Sequence, residues 1–92
     1  MVRVYKKAYF NIYSNEVGYI IHNTRKEFHY GHTHIKEFST AKYLVDLALH
    51  KSLPNRNLKY FIESLIRITD NEEYKKKLMD LSKMELKKKK RV

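Results

Sequence analysis

Phe38-Ser39-Thr40-Ala41-Lys42-Tyr43-Leu44-Val45-Asp46-Leu47-Ala48-Leu49 is the stretch where the apolar pattern of the chain changes period. Ala41, Leu44, Val45, Ala48 and Leu49 recur at steps of three and four residues, the stripe of an amphipathic helix. Upstream of it, apolar residues alternate singly. Downstream of it, the helical spacing returns twice. A single switch of this kind places strands first and helices second, which is an α+β order.

Working towards the N-terminus, Val2, Val4, Ala8, Phe10 and Ile12 share one parity, interrupted by Lys6. Arg3, Tyr5, Lys7, Tyr9, Asn11 and Tyr13 share the other. Period two with aromatic and β-branched residues predicts one strand over residues 2–13 with a single buried face. Ser14-Asn15-Glu16 is a turn, since Asn tolerates left-handed backbone. Residues 18–24 read as a second strand, closing a hairpin. Gly31 marks a bend, and residues 32–38 alternate as a third strand.

Working towards the C-terminus, Ser39 or Thr40 is placed to cap the first helix, and Pro54 to end it. Asn55 or Asn57 caps a second helix with Leu58, Phe61, Ile62, Leu65 and Ile68 inward. Thr69-Asp70-Asn71-Glu72 fits a capping box. It opens a third helix with Tyr74, Leu78, Leu81 and Met84 on the core side. The expected fold is α+β: a small antiparallel sheet of two to three N-terminal strands packed against two to three C-terminal helices.

Charge divides the chain in two. The formal net charge is +10, and Lys87, Lys88, Lys89, Lys90 and Arg91 carry half of it. Residues 1–86 are expected to form a single α+β domain, and residues 87–92 a disordered polybasic tail held open by its own repulsion. A 92-residue chain of which 42% is hydrophobic can bury a core. It has no cysteine, which removes disulfides and thiolate metal sites and fits a cytoplasmic location. No run approaches the ~18 apolar residues of a membrane span, and no signal peptide is expected.

The chemistry expected is binding and not catalysis. With Gly18 and Gly31 as the only glycines there is no phosphate-cradling loop, and no spacing singles out an acid–base pair. No cofactor is implied. His29, His32 and His34 crowd six residues, with His22 nearby, but match no metal-ligand spacing. They are read as surface or loop imidazoles. The odd-numbered face of the first strand interleaves cations with rings, the mixture that single-stranded nucleic acid favours. The expected partner is therefore DNA or RNA. Arg3, Lys7, Arg25, Lys26 and Lys36 would contact phosphates. Tyr5, Tyr9 and Tyr13 would stack, and Lys87 to Arg91 would add nonspecific attraction. The alternative is a protein-interaction module or small regulator whose tyrosines anchor an acidic protein surface. A membrane partner is not expected, since no amphipathic anchor accompanies the tail.

Overall fold

A computed structural model describes the backbone of residues 1–90 and the side chains of residues 1–85. The elements are β1 (Val2–Lys7), β2 (Phe10–Asn15), β3 (Gly18–Asn23), β4 (His32–Ile35), α1 (Phe38–His50), α2 (Leu58–Ile68) and α3 (Glu72–Lys90). The four strands form one antiparallel sheet in chain order, β1-β2-β3-β4. The three helices follow, so the α+β arrangement expected from the sequence is the one observed, with one strand more.

The additional strand comes from a correction at the N-terminus. Residues 2–13 are not one strand but most of a hairpin, with Lys7 opposite Phe10 and a two-residue turn at Ala8 and Tyr9. A strand of that length would overrun the six residues of β3 and leave backbone groups without partners. Folding back supplies them. Ala8 takes a positive φ of 53° to make the turn. Such a turn sets residue i opposite i+3, so parity inverts across it. Tyr5 and Lys7 therefore share the face of Ile12 and Phe10, their partners in β2. A bulge at Val4 shifts the register again and puts Arg3 opposite Tyr13. Val2, Val4 and Ala8, expected inside, are all exposed.

The caps also differ from expectation. Helix α1 begins at Phe38 with Glu37 as its N-cap and no side-chain bond, so Ser39 and Thr40 lie within the helix. Asn57 occupies the N-cap of α2 in left-handed backbone, again without a side-chain cap. The cap of α3 is Asn71, whose Oδ1 accepts from the Tyr74 N–H at 2.8 Å. Thr69 instead accepts from the Asn71 N–H at 3.1 Å, closing a turn before the helix.

The core is contiguous across all layers. Phe10, Ile12, Ile21 and Ile35 come from the sheet, and Ala41, Leu44, Val45 and Ala48 from α1. Helix α2 gives Phe61, Ile62, Leu65 and Ile68, and α3 gives Tyr74 and Leu78. Both α1 and α2 pack on the sheet, whereas α3 packs on α2. Met84, expected inward, is 60% exposed because α3 has by then run past its support. Lys90, within the expected tail of residues 87–92, is the last residue of this helix. The side chains of residues 86–90, and residues 91–92 entirely, lie outside the described residues.

Candidate functional site

Directly opposed residues in an antiparallel ladder project to the same side of the sheet. The register therefore defines both faces. The inner face carries Phe10, Ile12, Ile21 and Ile35 against the helices. The outer face carries two rows that cross all four strands. One row is Lys6, Asn11, His22, His32; the other is Arg3, Tyr13, Ile20, His34. Two cations, three imidazoles and a phenol thus share one surface. None of the ten acidic residues of the chain lies in a strand.

Side-chain geometry orders this surface. Asn11 Nδ2 donates to the Tyr13 hydroxyl at 3.2 Å. Asn11 is only 7% exposed, and its Oδ1 is the one buried side-chain polar atom among the described residues with no hydrogen-bond partner. The loop of residues 24–31 closes one end of the face. His22 Nε2 donates to the Lys26 carbonyl at 3.0 Å, and His32 Nδ1 donates to the Phe28 carbonyl at 2.5 Å. A carbonyl only accepts, so both contacts put the ring hydrogen on the bonded nitrogen. The Phe28 ring stacks on His32 at 4.4 Å between centroids and tilts against His22 at 5.1 Å. His34 is exposed, with its ring 5.1 Å from that of His32.

The loop is held by Asn23, which no sequence pattern singled out. This residue is fully buried at the end of β3. Its Nδ2 donates to the Ile68 carbonyl of α2 at 2.8 Å, and its Oδ1 accepts from the Arg25 N–H at 2.9 Å. One amide therefore ties the sheet, the loop and the end of α2 together.

The residues expected to bind ligand are not gathered on one face. Arg3 and Tyr13 stand on the outer face. Tyr5 turns inward and meets the Phe38 ring edge-on at 6.0 Å. Lys7 also faces the helices and pairs with Asp46 of α1 at 2.6 Å, a contact that raises the lysine pKa above its ordinary value. Tyr9 sits in the β1–β2 turn under the Arg25 guanidinium, 3.4 Å from its ring centroid. Arg25 also grips Asp70 at 3.0 and 3.2 Å. Lys26 donates to the Arg67 and Thr69 carbonyls at the end of α2. Lys36 is exposed beyond β4, lining a shallow groove of about 310 Å³ with Thr40, Asn57 and Tyr60. The side chains of Lys87 to Arg91 lie outside the described residues.

Lys6 and the three histidines of the outer face were not among the residues expected to bind nucleic acid. The signal available for them was the absence of Asp and Glu from residues 2–13, 18–24 and 32–36. Placing His32 and His34 on one face of a strand follows directly from their spacing, and β4 does so. Among the described residues, no three His, Cys, Asp or Glu side chains converge as metal ligands do. Likewise, no helix among them is long and apolar enough to cross a membrane. The chain matches no protein-family model, and neither a curated protein nor a solved structure shows significant similarity to it.

Proposed function

We propose that this chain is a small non-enzymatic nucleic-acid-binding protein that lays a single strand across the outer face of its sheet. The observation carrying the reading is the pair of rows Lys6-Asn11-His22-His32 and Arg3-Tyr13-Ile20-His34 on strands that contain no carboxylate. A phosphate backbone is repelled by acidic side chains and drawn by cations, so an acid-free strand set favours it. Exposed bases stack on rings, which Tyr13 and the imidazoles provide. A four-stranded sheet typically seats about two or three bases. Lys87 to Arg91 would add sequence-independent attraction from the far end of the chain. Tyr5, Lys7, Tyr9, Arg25 and Lys26 are left out of the binding surface, because their contacts are with the protein itself.

The test is titration of the full chain with single-stranded DNA and RNA over a salt series. Replacing Arg3 and Lys6 with alanine should lower affinity and flatten the salt dependence by about 0.7 in log–log slope per lost phosphate contact. Tyr13→Ala should weaken binding by about 1–3 kcal/mol and leave the slope unchanged. A folded Arg3→Ala/Lys6→Ala/Tyr13→Ala variant that binds like the parent would exclude this face. Absence of binding to either nucleic acid at low salt would leave an acidic protein partner as the reading to pursue.

A further inference from the structure

We propose that His22, His32 and His34 are ligand-binding cations of the outer face, taking up protons when a phosphate backbone docks there. The inference rests on the nucleic-acid reading above and specifies how that site is regulated. It starts from hydrogen bonding. His22 commits Nε2 to the Lys26 carbonyl and His32 commits Nδ1 to the Phe28 carbonyl, so each ring is held in place by one nitrogen. The second nitrogen of each is the basic one. Gaining a proton there costs neither anchoring bond, because both carbonyls still receive an N–H. His34 is exposed and makes no side-chain hydrogen bond among the described residues.

The surroundings decide the direction of the effect. Arg3 and Lys6 of β1 share the face, and Tyr13 of β2 is the other titratable group on it. From the loop come the Lys26 ammonium, drawn off to the end of α2, and the Glu27 carboxylate. Helices α1 and α2 pack on the opposite face, where Tyr60 and Ser64 of α2 reach β4 through the His34 carbonyl and the Thr33 hydroxyl. The strands thus offer an imidazolium cationic neighbours and no carboxylate. A bound phosphate backbone reverses this, because it places anions over three imidazoles at once. Imidazoles as a class change charge between about pH 5 and 8. By linkage, whatever makes the protonated rings bind phosphate more tightly makes bound phosphate hold the protons more tightly. Asn11 adds a second favourable feature. It is the register partner of His22 and presents an acceptor with no donor on a face where protonation creates a new N–H.

The experiment is fluorescence anisotropy of the full chain with labelled oligo-dT, chosen because thymine has no group that titrates in this range. Kd is measured at about pH 8 and about pH 5.5, each over a salt series. Affinity should rise at least about tenfold on acidification, the scale of one added charge-assisted contact. The log–log salt slope should steepen by up to about 2, from three recruited phosphates at about 0.7 each. His22→Gln/His32→Gln/His34→Gln should bind more weakly than the parent at the higher pH, through the lost stacking, and should lose both changes with pH. The single variant His34→Gln should lose about a third of the slope change, and its exposed position keeps the fold out of question. His29→Gln/His50→Gln, which removes the remaining histidines, should keep the full pH response. Binding that is independent of pH, or a pH response that survives in the triple variant, overturns the proposal while leaving the nucleic-acid reading in place. No binding at either pH overturns both.

Discussion

Asn23 and the turn residues Ala8 and Gly18 show how much of this fold depends on single positions. Asn23 is buried, and both ends of its amide are bonded to backbone, one across to α2 and one within the loop. Asn23→Ala leaves the Ile68 carbonyl and the Arg25 N–H without these partners, at a cost of about 2–4 kcal/mol. Urea unfolding should show a lower midpoint with an unchanged m-value. The turns predict opposite signs for exchanges of glycine and alanine. Ala8 holds a φ of 53°, which costs an L-residue about 1–2 kcal/mol. Glycine at position 8 removes that strain but adds freedom to the unfolded chain, so Ala8→Gly should gain up to about 1 kcal/mol. Gly18 has a φ of 151°, and a Cβ there would stand 2.8 Å from the Ile35 carbonyl oxygen. Gly18→Ala should therefore lower the melting temperature while Ala8→Gly raises it. The same sign for both would mean that neither turn is strained as described.

Among the elements, α2 has the most to lose. It alone packs against sheet, α1 and α3, and Phe61, Ile62, Leu65 and Ile68 line its inner side. Leu65 has no exposed surface. Leu65→Ala should cost about 2–5 kcal/mol, which for a domain of this size is a large share of its stability. Circular dichroism melting should report the loss, and a near-native melting temperature would show that α2 does not hold the layers together. The stripe on α2 was legible from spacing because a helix surrounded by other elements must bury the same side throughout. The capping of α3 was less legible. Thr69 and Asn71 can each cap, and the first residues of α3 decide between them by where the Tyr74 N–H falls.

At the scale of the whole molecule, Tyr74 joins α3 to the link between α1 and α2. It is 1% exposed, and its hydroxyl donates to the Ser52 carbonyl at 2.7 Å. Burial, with a smaller contribution from Tyr43, pushes its phenol pKa well above the ordinary value of 10.0. The folded state therefore holds this proton more tightly than the unfolded state does. Its contribution to stability is complete below about pH 10, and is lost progressively as pH rises from there towards the folded pKa. Unfolding free energy should fall with pH above about 10, and Tyr74→Phe should flatten that decline while costing about 1 kcal/mol at neutral pH. An alkaline limb that is unchanged in the variant would assign the decline to other groups.

By itself the sequence determined the order of strands and helices, the period switch near residue 38, the inner stripes of α1 and α2, and the shared face of His32 and His34. These follow from local periodicity, which is written into consecutive residues. Which side of the sheet each N-terminal residue occupies was decided by tertiary structure alone. The alternation of residues 2–13 fits one strand equally well, but a two-residue turn at Ala8 and a bulge at Val4 each reverse parity. Neither carries a glycine or proline to announce it. Tyr5 and Lys7 were thereby moved inward, and Arg3 and Tyr13 were joined to Lys6 and the histidines. Side chains on different strands meet only through pairing register. Register is set by which backbone groups find partners across the sheet, a property of the assembled chain and not of any one segment.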